Sequence, residues 1–209
     1  MLGGILVYFS YLRTLSEQLA ENRPPLIRPV GSLTVADHRG RELDLFTKGE
    51  TLYLVGYIFT GQPEDAKKVC ERLKALRAPF EDESRIRLVA VSMSPDIDTA
   101  KALKDFADAN GYTGDEWVFL SGPREQTRKF MNKHFRYPGQ ALPEEERRKP
   151  GDLHKPEVRI SLVDNDGVIR GIFWEGEAAG ELRNDSAALE VIQYLINDMD
   201  GVENAVPEG

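Results

Sequence analysis

The sequence predicts an α/β fold, with a central mixed sheet flanked by helices, an N-terminal hairpin, and a C-terminal hairpin plus helix. Two nearly continuous apolar runs carry the prediction, "LYLVGYIF" at 52–59 and "RIRLVAVSM" at 85–93. They lack the polar alternation of a half-solvated strand, so both should be central strands buried on both faces. Each run is followed by a segment of helical periodicity. Strands alternating with helices favour a sheet covered on both sides.

The elements follow in order. "MLGGILVYFSYL" carries no charge before Arg13. It is shorter than the roughly 20 apolar residues that span a bilayer. It also lacks a basic n-region and a small-residue cleavage site. We read residues 1–29 as a hydrophobic, helical segment and favour a truncated membrane anchor. An interfacial anchor, or a helix packed on its own fold or on a second copy, are the alternatives. "LRTLSEQLAENRPP" continues the segment as a polar-faced helix that Pro24-Pro25 end. "SLTVADHRGRELDLF" holds two short runs around a turn at His38-Arg39-Gly40, a hairpin signal.

After the first central strand, a helix is expected from about Pro63 to Leu76. Ala66, Val69, Cys70 and Leu73 form its apolar stripe at i, i+3, i+4 and i+7. After the second strand, "DIDTAKALKDFADANG" opens with Asp98 or Thr99 as N-cap and closes at Gly111. "EWVFLSG" is a third strand, and "PREQTRKFMNKHF" a helix with Pro123 in its first turn. "RYPGQALPEEERRKPGDLHKP" is rich in Pro, Gly and charge and reads as one long loop, functional or mobile. "EVRISLVDNDGVIRGIFW" is a hairpin turning at Asn165-Asp166-Gly167, which adds antiparallel edges to the sheet. "SAALEVIQYLINDM" is a closing helix, with Asn184 or Asp185 as its cap, and 201–209 is a frayed tail. We divide the chain into the segment 1–29, a domain at 30–200 and the tail.

Composition narrows the function. Apolar residues make up 41% of the 209, charged residues 30%, and the net charge is −8. An acidic chain is a poor match for nucleic acid, whose phosphates call for clustered Lys and Arg. Cys70 is the one cysteine. An intramolecular disulfide and a zinc site of several thiolates are therefore excluded. The charge run at 144–149 mixes signs and reads as a solvated face.

Five fragments carry a resemblance. They are "GSLTVADHRGRELDL", "LVGYIFTGQPEDA", "VAVSMSPDIDTAKALKDFA", "WVFLSG" and "SLVDNDGVI", in that order. Together they resemble the Sco/SenC family, thioredoxin-fold proteins linked to copper delivery to cytochrome c oxidase. The resemblance runs from about Val30 to Met199. It implies a site of two cysteines four positions apart after Phe-Thr-x, plus a histidine just before the last hairpin. Here those positions fall on Gln62, Ala66 and near Pro156, with His154 two residues earlier.

Copper(I) prefers thiolate, thioether and imidazole. Gln62 offers an amide oxygen and Ala66 offers nothing, and dithiol exchange needs two sulfurs. Four further residues can be weighed. Cys70 is either a buried apolar side chain or a ligand or redox thiol. His154 is either a surviving metal ligand or a solvated loop histidine. His134 and Met93 are either packed side chains or displaced ligands. Asp96, Asp98 and Thr99 suit a turn and a helix cap better than acid/base chemistry.

The expectation is a Sco-like accessory protein without catalytic residues. The resemblance implies a membrane-associated place on the extracytoplasmic, periplasmic side. The protein would assist assembly or protection of a respiratory complex, cytochrome c oxidase, by contact with a protein partner. No cofactor is expected, copper being the one candidate. The alternatives are a metal binder with displaced ligands, or a thioredoxin-fold peroxidase or reductase using Cys70.

Overall fold

The structure is a computed structural model. It describes residues 23–121, 124–135, 140–141, 154–155, 158–174 and 185–202. The chain runs β1 (Arg28–Pro29), β2 (Leu33–Ala36), β3 (Glu42–Leu45), β4 (Leu52–Ile58), α1 (Pro63–Arg77) and β5 (Ile86–Ser92). It continues through α2 (Ala100–Ala109), β6 (Trp117–Leu120), α3 (Arg124–Phe135), β7 (Gln140–Ala141) and β8 (His154–Lys155). β9 (Arg159–Val163), β10 (Val168–Trp174) and α4 (Asp185–Met199) complete it.

Six strands form one sheet in the order β1-β10-β9-β4-β5-β6. β4, β5 and β6 are parallel, with Leu52 opposite Ile86 and Ile58 opposite Ser92. β9 and β10 are antiparallel, and β9 lies beside β4 with Val55 opposite Ser161. Every residue of β4 is buried, which explains its continuous apolar run. Leu52, Leu54 and Ile58 face a core shared with α1, α2 and α4. Tyr53, Val55 and Tyr57 face a second core with the β2–β3 hairpin and α3. Gly56 lets α1 approach: a Cβ there would lie 2.6 Å from Val69 Cγ1.

Two polar turns fix the hairpins. Asp37 Oδ1 accepts from the Arg39 and Arg41 amides at 2.8 and 2.9 Å. The His38 amide donates to Phe119 O at 2.9 Å, and His38 Nδ1 accepts from the Phe119 amide at 3.3 Å. The hairpin tip thus clasps β6, which would otherwise be a bare edge strand. In the β9–β10 turn, Asp164 Oδ1 accepts from the Asp166 and Val168 amides at 3.0 and 2.8 Å. Gly167 has a φ of +73°, and a Cβ there would meet Phe46 O at 2.5 Å.

Two expectations are corrected. The C-terminal hairpin is not the outermost pair of the sheet: β9 sits beside β4, and the two-residue β1 pairs with Val168 and Ile169 at the start of β10. The segment 136–156 is not all loop, because β7 and β8 pair within it, Ala141 opposite His154. Of the two caps expected for α2, Thr99 is the one used, its hydroxyl accepting from the Ala102 amide at 3.2 Å. The readings made for 1–22, Pro123, Pro156, Asn184 and 203–209 lie outside the described residues. Among the described residues, no helix is long and apolar enough to cross a membrane.

Candidate functional site

β4 delivers the chain to the site. After Ile58, the Gln62 amide donates to Phe59 O at 2.9 Å and closes a turn. Pro63 then opens α1, where its missing N–H costs nothing. Glu64 and Asp65 in the first turn complement the helix dipole. Gln62 is the N-cap residue, yet its side chain makes no capping hydrogen bond. Its Oε1 is buried without a partner. Ala66 is fully buried, in one core cluster with Val69, Cys70 and Leu73.

A buried carboxylate braces this turn. Asp98 is 0% exposed. It accepts from the Thr60 amide at 3.1 Å, from the Thr60 hydroxyl, and from Ser92 Oγ at 2.7 Å. Ser92 Oγ in turn accepts from the Ser94 amide at 3.0 Å. The loop after β4 is thereby joined to the loop after β5. Burial pushes the Asp98 carboxyl above its ordinary range, against the pull of the Thr60 and Ser92 donors. Sequence reasoning missed this role. The signal was present in "SMSPDIDT", but an acidic residue beside a helix start reads locally as a cap.

The candidate residues are spread over both faces of the sheet. Cys70 is 0% exposed in the core beneath α1. Burial first, and the Glu71 carboxylate second, push its thiol far up. A reactive thiol needs the reverse, a depressed value and access. Met93 is half-buried against the opposite core, while its amide donates to Ile58 O at 2.8 Å. His134 lies on α3, its ring 4.7 Å from that of Phe130. Its Nδ1 accepts from the Gly31 amide at 3.4 Å. The structure thus sets Cys70 on one face, and Met93 and His134 on the other. His154 is placed in β8. Among the described residues, no three His, Cys, Asp or Glu side chains group as metal ligands.

Known proteins supply the relationship. No curated protein matches the chain. Bradyrhizobium japonicum ScoI with copper bound is 22% identical, with a TM-score of 0.59 over 80% of this chain and 99% of its own. BsSco, a member of the Sco family of cytochrome c oxidase assembly proteins with a disulfide switch, is 21% identical. Its TM-score is 0.56 over 86% of this chain and 95% of its own. A SCO1/SenC family lipoprotein from Bacillus anthracis is 18% identical, with a TM-score of 0.58 over 87% and 99%. These likenesses establish the fold, which is thioredoxin-like. The family model described as SCO1/SenC matches residues 28–189. The chain belongs to the SCO1/SenC family.

Proposed function

We propose that this protein assists assembly or protection of a respiratory complex, cytochrome c oxidase, through protein contact. On this reading it neither carries copper nor exchanges thiols. One observation supports the proposal: the strand-turn-helix frame is intact, and the turn that the resemblance aligns with the family's two cysteines holds Gln62 and Ala66. Their donor set does not fit copper(I), since a carboxamide oxygen is hard and a buried methyl coordinates nothing. The remaining thiol, Cys70, is sealed in the core. A disulfide switch like that named for BsSco needs a second thiol, and the sequence contains one cysteine.

The loop end of the sheet is the proposed contact surface. Ile97, between the Ser94 turn and α2, is 41% exposed there, and the Asp98 network holds the loop in place. The N-terminal segment would tether the domain on the extracytoplasmic side of a membrane.

Cells supply the test. Deleting the gene should reduce assembled cytochrome c oxidase, and the Cys70→Ala variant should restore it as well as the unaltered gene does. Normal oxidase levels in the deletion strain, or failure of Cys70→Ala to complement while present at normal abundance, would refute the proposal.

A further inference from the structure

A cavity of about 350 Å³ lies under the β2–β3 hairpin. It opens where β4 and β5 begin, at Tyr53 and its register partner Arg87. That is the opposite end of β4 from Gln62. Its apolar floor includes Leu45 and Val118, both buried. The size is at the small end of ordinary ligand pockets.

The charges along its wall are unequal in their engagements. Arg41 is paired with the buried Asp37 at 2.8 Å and approaches Asp115 at 3.6 Å. Asp115 is also held by Arg39 at 3.1 Å. Asp44 accepts from the Thr34 hydroxyl at 2.6 Å. Arg87 differs from these. It is half-buried, and its Nη1 donates to a neutral group, the Ser84 carbonyl, at 3.1 Å. No carboxylate among the described residues forms an ion pair with it. A half-buried guanidinium with no described counter-charge leaves its Nε–Nη2 edge suited to a carboxylate.

Tyr53 completes the polar wall. Its side chain lines the cavity beside Thr51. A phenol O–H can donate to an acceptor in the cavity. Burial pushes its pKa up, so the proton stays in place at neutral pH.

We propose that this cavity binds a small organic monocarboxylate. The carboxylate would sit on the Arg87 guanidinium and the Tyr53 O–H, and the apolar body on Leu45 and Val118. A single negative charge matches best, because Arg87 is the one uncommitted cation among the described residues that line the cavity, and Asp44 and Asp115 would repel a dianion.

The test uses the isotope-labelled full chain, followed by the amide signals of Thr51, Tyr53, Arg87 and Val118. Hexanoate should saturate these shifts with a Kd of about 1 mM or below. Hexanamide, which lacks the charge, and inorganic phosphate, which lacks the apolar body, should bind at least about tenfold more weakly, as should hexanoate to Arg87→Gln. An acetylated tripeptide with a free C-terminus separates sources of the same chemistry. Tighter binding than hexanoate assigns the site to a chain terminus, and weaker binding to a free acid. The proposal is overturned if hexanoate fails to saturate by about 10 mM, or if hexanamide binds equally. Both comparisons use the unaltered chain, so they stand even if Arg87→Gln folds poorly. Unchanged affinity in a folded Arg87→Gln also overturns it.

Discussion

Cys70 shows how a residue type associated with chemistry can serve packing alone. It lies on the stripe that seats α1 on β4, beside Val69 and Leu73. Its seclusion was legible from the i, i+3, i+4 spacing. Iodoacetamide should modify it only under denaturing conditions, and rapid labelling of the native protein would contradict its burial. Cys70→Ser should cost about 1–3 kcal/mol, because it places a hydroxyl among apolar neighbours. Urea melts of the two proteins check this. Asp98 is the opposite case. Its partners Thr60 and Ser92 lie 38 and 6 positions away, and the longer of those separations has no local signature. Asp98→Ala should cost about 3 kcal/mol, since it leaves buried donors unpaired. Because the folded carboxyl has a raised pKa, its contribution is complete below the usual carboxylate value and declines as pH rises through the folded one. Comparing unfolding free energies of the native chain and Asp98→Asn across acidic pH checks the sign.

Among the elements, those with strong internal periodicity were legible and those made by distant pairing were not. β4, β5 and α1 declare themselves, because burial on both faces or on one stripe dictates residue type. β1 is two residues, one of them proline, and exists only because Ile169 and Val168 lie opposite. β7 and β8 are equally short and equally dependent on each other. The tight seat of α1 has a direct consequence: Gly56→Ala should destabilise the fold by about 1–3 kcal/mol, through contact with Val69. A melting temperature equal to the native one would show that the helix can move aside. The hairpin clasp has a pH dependence. His38 and His134 accept backbone N–H bonds as neutral rings, and burial holds both below the ordinary imidazole value of 6.5. Their contribution is therefore complete above that value and is lost as pH falls through the lower folded ones. Acidification should therefore lower the stability of the fold. A double His38→Gln, His134→Gln variant should lose less stability than the native chain between about pH 7 and pH 5. Equal losses would place the acid sensitivity elsewhere.

At the scale of the molecule, the scaffold and the chemistry separate. Most apolar burial lies along β4, β5, β9 and the helices, at roughly 25 cal/mol for each Å² removed from water. Sulfur at positions 62 and 66 contributes little to that sum, so the frame can persist with glutamine and alanine there. The family was legible from the order of five fragments. The proposal that the site has been replaced rests on two letters, Gln62 and Ala66. The proposed partner could not be read from the pattern, because a contact surface needs no fixed spacing of residue types. Copper(I) titration of the purified protein under reducing conditions, against a competing chelator, decides most directly whether metal carriage has been lost. The native chain should show no sub-micromolar binding, while the Gln62→Cys, Ala66→Cys variant should gain it. Sub-micromolar copper(I) binding by the native chain would contradict the loss outright.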